Sequence, residues 1–210
     1  MIDRIREIMI GFGFLETFTL ALTSTVSQFD MTGFWPDEDE FVSITKAKAT
    51  EVNMVRYWLL PELLRALSVN RERRYPIKLF EVSDVVRRDE TGEADTVFIN
   101  RKRLSFIISD DSVTFTDAKR ILMKLLSLID VTETDESIST VRAEHPSFIP
   151  GRCAKIIKKK TENEKTTAKK HSEAREIGFL GEIHPSVLER FDIQMPVAAC
   201  ELDLTELVLT

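Results

Sequence analysis

The chain has 210 residues, of which 43% are hydrophobic, enough to bury a sizeable core. Its net charge of −6 excludes a protein whose whole surface binds nucleic acid, because phosphate contacts require a basic face. No run of 18 apolar residues and no secretory leader pattern is present, and Cys153 and Cys200 are too few to staple a fold, so we expect a cytoplasmic protein without disulfides.

The first predicted element is a short amphipathic helix at residues 2–12. Gly11 and Gly13 near its end are typical of a helix C-terminus. One face carries the apolar residues Ile2, Ile5, Ile8, Met9 and Phe12. A helix this short is marginal alone in water, so we expect it to dock on a sheet, on another chain or on both. Residues 14–22 then alternate as in a strand.

Turn residues dominate the segment that follows. We expect a short helix near residues 24–29 and a brief strand at 41–44. Four consecutive acidic residues at 37–40 lack the spacing of a calcium loop, and therefore indicate a solvated loop rather than a metal site.

Residues 55–84 contain the clearest local pattern. Pro61 suits the first turn of a helix, and Pro76 prevents the helix from continuing. The apolar face of that helix consists of Leu60, Leu63, Leu64 and Leu67. A strand is predicted at 77–86, and we expect it to form an antiparallel hairpin with a strand at 96–108 through a long charged loop.

The predicted strand at 77–86 carries charged residues that need partners. Lys78, Glu81 and Asp84 interrupt its β-forming residues. A strand buried in hydrocarbon on both faces along its whole length would not tolerate them. Some of these groups must therefore find polar partners in the fold.

The second half of the chain alternates strands with two further helices. A helix with Thr116 as its N-cap and Asp117 in its first turn is predicted to run to about residue 130. We expect strands at 137–143, 152–157, 177–183 and 197–204, with a helix at 185–190. Residues 158–176 contain no large apolar side chain, and we expect a mobile lysine-rich loop there, within one domain spanning 1–210.

Local motifs for chemistry are sparse. The three histidines and two cysteines are not paired at zinc-ligand spacing, and a packed histidine at a strand end is the simpler reading of His184. No serine lies in a nucleophile elbow, and no glycine-rich loop precedes a helix. From the residues alone we predict an α+β fold, with helices on a mainly antiparallel sheet, and no catalytic or metal-binding residue.

Longer stretches resemble a known family. The stretches are IREIMIGFGFLETFTLAL, VRYWLLPELLRALSVNRERRYPIKLFEVSDVV, FIPGRCAKI and IGFLGEIHPSVLERFDIQMPVAACELDL. In order and spacing they resemble the C-terminal part of the beta subunit of phenylalanyl-tRNA synthetase, most closely its archaeal and eukaryotic type. The resemblance implies a class II aminoacyl-tRNA synthetase-like antiparallel sheet flanked by helices. It also implies a non-catalytic partner of an alpha subunit that uses ATP and Mg²⁺, with no cofactor held in this domain.

The residues can be compared with a working class II site. Arg87 and Asp89 resemble the end of motif 2, where an arginine meets the ATP phosphate. The last strand has neither glycine nor arginine and carries three carboxylates, Glu201, Asp203 and Glu206, which repel phosphate. We therefore expect Arg87 and Arg88 to be loop charges. The alternative is a nucleotide- or RNA-binding domain that uses Arg87, Asp89 and Arg88, or the lysines between Lys158 and Lys170.

The resemblance also implies partners. It implies a heterotetramer of two alpha and two beta subunits, in which tRNA is reached through the complex and the first helix packs at the subunit interface. We expect Ile2, Ile5, Ile8, Met9 and Phe12 to form that interface. The alternative is that the stripe covers only this chain's own sheet. Because beta subunits are longer, we expect the chain to be an excised domain, with editing located elsewhere.

Overall fold

The computed structural model of the protein describes residues 1–44, 52–89, 96–129, 138–159 and 174–208. The helices are α1 (Ile2–Gly11), α2 (Leu60–Val69), α3 (Phe115–Leu128), α4 (Pro185–Arg190) and α5 (Thr205–Val208), with a π-helical turn at Val26–Asp30. The strands are β1 (Leu15–Glu16), β2 (Leu22–Thr23), β3 (Met54–Val55), β4 (Ile77–Arg88), β5 (Phe98–Ser109), β6 (Ile138–Arg142), β7 (Phe148–Lys159), β8 (Ala174–Ile183) and β9 (Val197–Asp203). Within these ranges no helix is both long enough and apolar enough to cross a membrane.

Seven of the strands form one sheet in the order β1-β4-β5-β9-β8-β7-β6. Only the β1–β4 pair is parallel among the described strands, and the others are antiparallel. Strands β2 and β3 form a separate antiparallel pair. The predicted α+β class and the β4–β5 hairpin are confirmed.

One face of the sheet is covered by α1 and α3. Phe80 and Phe106 lie opposite each other on β4 and β5 and project to this side, with no accessible surface. Ile5 and Met9 of α1 and Leu122 of α3 pack against them in the same apolar cluster. This cluster explains why α1 is helical, because its apolar stripe lies on the sheet.

The other face is only half covered, by α2 and α4. The four leucines of the predicted α2 stripe, Leu60, Leu63, Leu64 and Leu67, are fully buried, so that prediction is confirmed. They pack with Leu79 and Ile107 of the sheet and with Val187 and Leu188 of α4. Towards the C-terminal end of β9 this face carries charged side chains instead, and it is open.

Two of the short strands differ from the predictions. The predicted strand at 14–22 is wrong as one element, since only its ends, Leu15–Glu16 and Leu22–Thr23, pair with neighbours. The segment between them forms no regular strand, and it is held by single backbone hydrogen bonds at Thr17 and Ala21 together with side-chain bonds of Thr17 and Thr19. The predicted strand at 41–44 is reduced to an isolated bridge between Ser43 and Met54.

The cap of α3 also differs. Thr114 is the N-cap rather than Thr116, because Thr114 and Asp117 form a reciprocal capping box. The Asp117 carboxylate accepts hydrogen bonds from the Thr114 backbone N–H at 2.9 Å and from its hydroxyl at 2.8 Å. Bonding to the Thr114 side chain is the main cause that lowers the pKa of Asp117.

Strands take up both ends of the predicted lysine-rich loop. Lys158 and Lys159 end β7, and residues 174–176 begin β8. Glu176 is paired with Lys155 of β7 at 2.7 Å. Residues 160–173, including most of the lysine-rich stretch, lie outside the described residues.

Candidate functional site

An open cleft of about 800 Å³ lies over the uncovered half of the second sheet face. Its floor is built by side chains that share that face on neighbouring strands, because residues directly opposite in an antiparallel pair point the same way. Arg103 of β5 lies opposite Asp203 of β9, and Glu201 of β9 lies opposite Phe179 of β8. The cleft is therefore a polar continuation of the face that α2 covers.

Charges of both signs line the cleft, and five of its six cationic side chains are paired with carboxylates. Arg103 contacts Glu201 at 3.3 Å and Asp203 at 3.6 Å. Glu206 of α5 pairs with Arg101 and, at 3.0 Å, with Arg175. At the rim Arg88 pairs with Asp39, and Lys155 with Glu176. With eight carboxylates against six cationic side chains, the lining is acidic overall.

Glu201 has a second function in the fold. Its carboxylate accepts hydrogen bonds from the backbone N–H of Leu59 at 3.0 Å and of Leu60 at 2.9 Å, at the start of α2. A carboxylate at a helix N-terminus satisfies donors that have no partner within the helix, and it is favoured by the helix dipole. The Glu201 carboxylate, which faces the cleft from β9, is therefore already bound to the start of α2 and to Arg103.

Arg87 differs from the other cations of the cleft. Among the described residues it alone of the six lacks a carboxylate partner, and its guanidinium lies over the ring of Tyr57 at 3.2 Å from the ring centroid. Burial, helped by nearby Arg103, lowers the pKa of Arg87 to about 9. The Tyr57 hydroxyl donates to Glu40 at 2.7 Å, and burial raises the Tyr57 pKa. Arg87 is therefore held by a cation–π contact.

Aromatic rings form one wall of the cleft around His145. The centroid of the His145 ring lies 4.7–5.7 Å from four aromatic rings, those of Phe34, Trp58, Phe148 and Phe179. The centroids of Phe34 and Trp58 are 5.8 Å apart. The Nδ1 atom of His145 accepts from the backbone N–H of Ser147 at 3.2 Å. Burial, with a smaller effect from Lys155, lowers the pKa of His145 to about 4. At neutral pH His145 is an uncharged packing residue.

Lowering the pH from 7 to 5 is expected to reduce the free energy of unfolding by about 2 kcal/mol, because His145 binds a proton more readily in the unfolded chain. Its pKa of about 4 in the folded chain lies below the ordinary value of 6.5. The unfolded state therefore binds more protons in this window, and stability is lost as the pH falls below about 6.5. Urea unfolding at both pH values measures the effect, with His145→Phe as the control without the titrating group. An equal pH dependence in that variant would contradict the prediction.

Metal and thiol chemistry find no support in the parts of the chain that the structure covers. No group of three or more His, Cys, Asp and Glu side chains is placed there to hold a metal ion. Both cysteines are free and buried. Burial raises the pKa of Cys153 to about 12, and it raises that of Cys200 as well. A thiolate nucleophile is disfavoured at either position.

A second candidate site is an apolar edge formed by Leu15, Phe18, Leu20 and Leu22. These side chains are 69%, 91%, 77% and 50% exposed, respectively. Leu15 lies in β1, the marginal strand of the large sheet, Leu22 lies in β2 of the two-stranded sheet, and Phe18 and Leu20 lie in the segment between them. Soluble proteins rarely leave adjoining large apolar side chains in water unless another surface covers them.

A buried ion pair holds the backbone of this edge. The Arg56 Nη1 atom lies 2.8 Å from Glu81 of β4, and both side chains are almost fully buried. The same Nη1 donates to the Thr19 carbonyl at 3.2 Å, and the Glu81 carboxylate accepts from the Thr19 hydroxyl at 2.7 Å. Thr17 and Thr19 thus turn inward, and Phe18 and Leu20 turn outward. The buried bonds to Thr19 therefore hold Phe18 and Leu20 in their outward position.

The comparison with known protein families identifies the chain. Residues 1–204 match the family model of the phenylalanyl tRNA synthetase beta chain CLM domain. The chain belongs to this family. It is similar to the phenylalanine–tRNA ligase beta subunits of Thermococcus gammatolerans (37% identical over 98% of this chain and 34% of the relative), Pyrococcus furiosus (37%, 98% and 33%) and Methanocaldococcus jannaschii (32%, 96% and 33%). The chain spans about a third of the length of these curated relatives.

The residues of this CLM domain that were predicted as candidates for binding a nucleotide do not all lie at the cleft. Arg87 and Arg88 both line the cleft, whereas Asp89 does not. The backbone N–H of Asp89 donates to the Val97 carbonyl at 2.8 Å, at the loop end of the β4–β5 hairpin. Of the proposed pair Arg87 and Asp89, only the arginine is placed to meet a ligand in the cleft.

The residues predicted as the interface of the CLM domain pack against its own core. Ile5 and Met9 retain no accessible surface in this chain. Ile2, Ile8 and Phe12 are partly buried against the same cluster. Sequence periodicity identified the apolar face of α1. It did not identify the exposed apolar side chains at 15, 18, 20 and 22 in the stretch that follows. The alternation of residues 17–20 was the available signal, and it was assigned to an ordinary strand.

Proposed function

We propose that the chain is the non-catalytic core module of a phenylalanyl-tRNA synthetase beta subunit. In this proposal it has a class II synthetase-like fold and supports an alpha subunit that charges tRNA(Phe) with phenylalanine. The assembly contains two alpha and two beta subunits in the cytoplasm. ATP and Mg²⁺ are used by the alpha subunit, and this domain holds no cofactor.

The internal charge pairing of the cleft carries the non-catalytic part of the proposal. A nucleotide needs cations that are free to meet its phosphates as charge develops on them. In this cleft Arg103 is engaged by Glu201 and Asp203, and Arg101 by Glu206. A triphosphate would have to displace carboxylates that are fixed by the sheet and by α2. The carboxylates would also repel it.

Titration of the chain with ATP and Mg²⁺ in a calorimeter tests this part. We expect no binding in the micromolar range. Micromolar binding would overturn the non-catalytic assignment.

A second candidate function is nucleotide binding through Arg87. The observation in its favour is that Arg87 lines the cleft without a carboxylate partner among the described residues. Against it, Glu201 and Glu40 are close enough to Arg87 to raise its pKa, so an anion placed there would meet them as well. Under this candidate ATP would bind, and Arg87→Met would abolish that binding.

The apolar edge carries the docking part of the proposal. Phe18 and Leu20 are the most exposed of its side chains, yet hydrogen bonds to the buried Arg56–Glu81 pair fix the backbone at Thr19 between them. A preorganised apolar surface suits a permanent subunit contact, because little conformational entropy is lost on binding. We assign this edge to the alpha subunit. A second copy of this chain is the competing occupant.

Replacing Phe18 and Leu20 together by aspartate is expected to weaken association with the alpha subunit by at least about 100-fold. Each fully buried side chain contributes roughly 1.5–3 kcal/mol, and a buried unpaired carboxylate adds a further cost. Analytical ultracentrifugation of the chain mixed with purified alpha subunit measures the effect. Because both positions are exposed, the variant should fold.

Val69→Asp is the matched control for the edge variant, since Val69 is 80% exposed at the end of α2. We expect the control to assemble normally. Unchanged assembly of the edge variant would refute the docking assignment. Loss of a homodimer without any change in alpha-subunit binding would assign the edge to a second copy of this chain instead.

A further inference from the structure

A groove of about 500 Å³ lies between the π-helical turn, α2 and α4, separate from the cleft described above. Its polar lining includes Arg65 and Ser68 of α2, Arg190 of α4 and Ser24 before the π-helical turn. Val26, Met31 and Phe191 supply its apolar surface. Cations and hydroxyl groups therefore surround an apolar floor on a chain that is acidic as a whole.

The two arginines of this groove are available to an anion. Arg65 is exposed and makes no ion pair or hydrogen bond with any residue that the structure describes. Arg190 donates to the backbone carbonyls of Asp30 and Met31, both at 3.3 Å, and to no described carboxylate. These bonds leave the positive charge of Arg190 uncompensated and hold its guanidinium at the rim.

The groove's own carboxylate is already neutralised. Asp192 lines the groove, and it forms an ion pair with Arg71, just beyond the end of α2. Arg73 and Arg74 follow and are exposed. This ion pair brings Arg71 to the groove, and with it the start of the run Arg71-Glu72-Arg73-Arg74, in which Arg71 also contacts Glu72 at 3.8 Å.

A buried hydroxyl adds to the polar wall. Ser27 is 5% exposed, and its Oγ atom has no hydrogen-bond partner within the described residues. The Ser24 hydroxyl accepts the backbone N–H of Ser27 at 3.1 Å, and its own proton is free to be donated. Hydroxyl donors next to guanidinium groups are typical of contacts to phosphate oxygens.

We infer that this groove binds the sugar–phosphate backbone of an RNA strand. Phosphates would lie against Arg65 and Arg190, with Arg73 and Arg74 continuing the basic path. The apolar floor of Val26, Met31 and Phe191 accommodates a ribose or an unstacked base of the RNA. An acidic protein segment has neither group. The inference does not depend on the alpha-subunit interface or on an empty cleft.

Fluorescence anisotropy with a labelled 12-residue oligouridylate tests the inference on the 210-residue chain. We expect binding that weakens as salt is raised from 50 to 200 mM. The double variant Arg65→Glu plus Arg190→Glu should bind at least tenfold more weakly, with a salt slope smaller by about one to two. Arg65→Glu alone should show part of this loss without affecting the fold, since Arg65 makes no contact that folding requires.

Lys119→Glu plus Lys124→Glu is the matched control, with the same change of charge on α3 at the opposite face of the sheet. We expect it to retain nearly full affinity. The inference is overturned if the unchanged chain does not bind the RNA, if the control loses as much affinity as the groove variant, or if labelled polyglutamate binds as tightly with the same sensitivity to Arg65 and Arg190.

Discussion

Replacing Arg56 by alanine is expected to lower the free energy of unfolding by about 3–5 kcal/mol. Arg56 is 3% exposed, and its guanidinium donates to Glu81, to Thr19, to Ser83 and to the Asp84 carbonyl. The substitution leaves the Glu81 carboxylate buried without its cation. It also removes the bonds that hold the extended segment beside β4. Urea unfolding followed by far-ultraviolet circular dichroism measures the loss.

A double substitution separates the ion pair from simple loss of volume. Arg56→Met combined with Glu81→Leu removes both charges and keeps apolar bulk. Most of the stability lost in Arg56→Ala should then return, because replacing a whole buried pair is often nearly neutral. A loss below about 1 kcal/mol in Arg56→Ala would contradict the assigned role of the pair. If the apolar edge docks on an alpha subunit as proposed, the double variant should bind that subunit more weakly than the unchanged chain even where its stability is restored, since Thr19 is no longer held.

Much of the scaffold could be predicted because it depends on local patterns. The leucine stripe of α2 has the helical period and Pro61 in its first turn, and the structure buries all four leucines. The β4–β5 hairpin follows from two β-rich segments separated by charges. In these elements the local preference and the global fold agree.

The failures in the fold arose where side-chain bonds interrupt backbone pairing. Residues 17–21 alternate like a strand, but beyond the Thr17 N–H bond to the Phe80 carbonyl the segment is bonded to β4 through the Thr17 and Thr19 side chains, which contact Phe80 and Glu81. Alternation records which side chains face inward, and it does not reveal whether the backbone pairs in a ladder. For α3, Thr114 and Thr116 are both acceptable N-caps, and only the spacing to Asp117 distinguishes them.

The candidate sites were less predictable, since they depend on contacts between distant residues. The sequence indicated that Glu81 needs a polar partner, but that partner is Arg56, 25 residues away. Arg87 and Arg88 were expected to be loop charges, and this was wrong, because both lie in β4 and the Arg87 guanidinium packs over the ring of Tyr57. Glu201 was expected to repel phosphate, and it also binds the start of α2, 141 residues away. Sequence periodicity contains no information on such pairings.

Replacing Gly178 by alanine is expected to destabilise the protein by about 3 kcal/mol or more, at the upper end for overpacked sites. Gly178 lies in β8 between Ile156 of β7 and Leu202 of β9. A Cβ atom there would overlap the Glu201 carbonyl oxygen and come within 3.1 Å of the Leu202 Cα. Backbone atoms on a central strand cannot move aside as a flexible side chain can. The sheet would have to shift at β9, whose Glu201 side chain also supports α2 and Arg103.

Gly11→Ala is the matched control for this substitution. Nothing lies within 4 Å of a Cβ at Gly11, the last residue of α1, so the change should be neutral or stabilising by up to about 1 kcal/mol. Thermal and urea unfolding of both variants supply the comparison. Equal effects would show that β8 and β9 tolerate separation. A large loss confined to Gly178 would mean that the fold requires the close approach of β8 and β9 at Glu201, the residue whose side chain binds the start of α2 and Arg103.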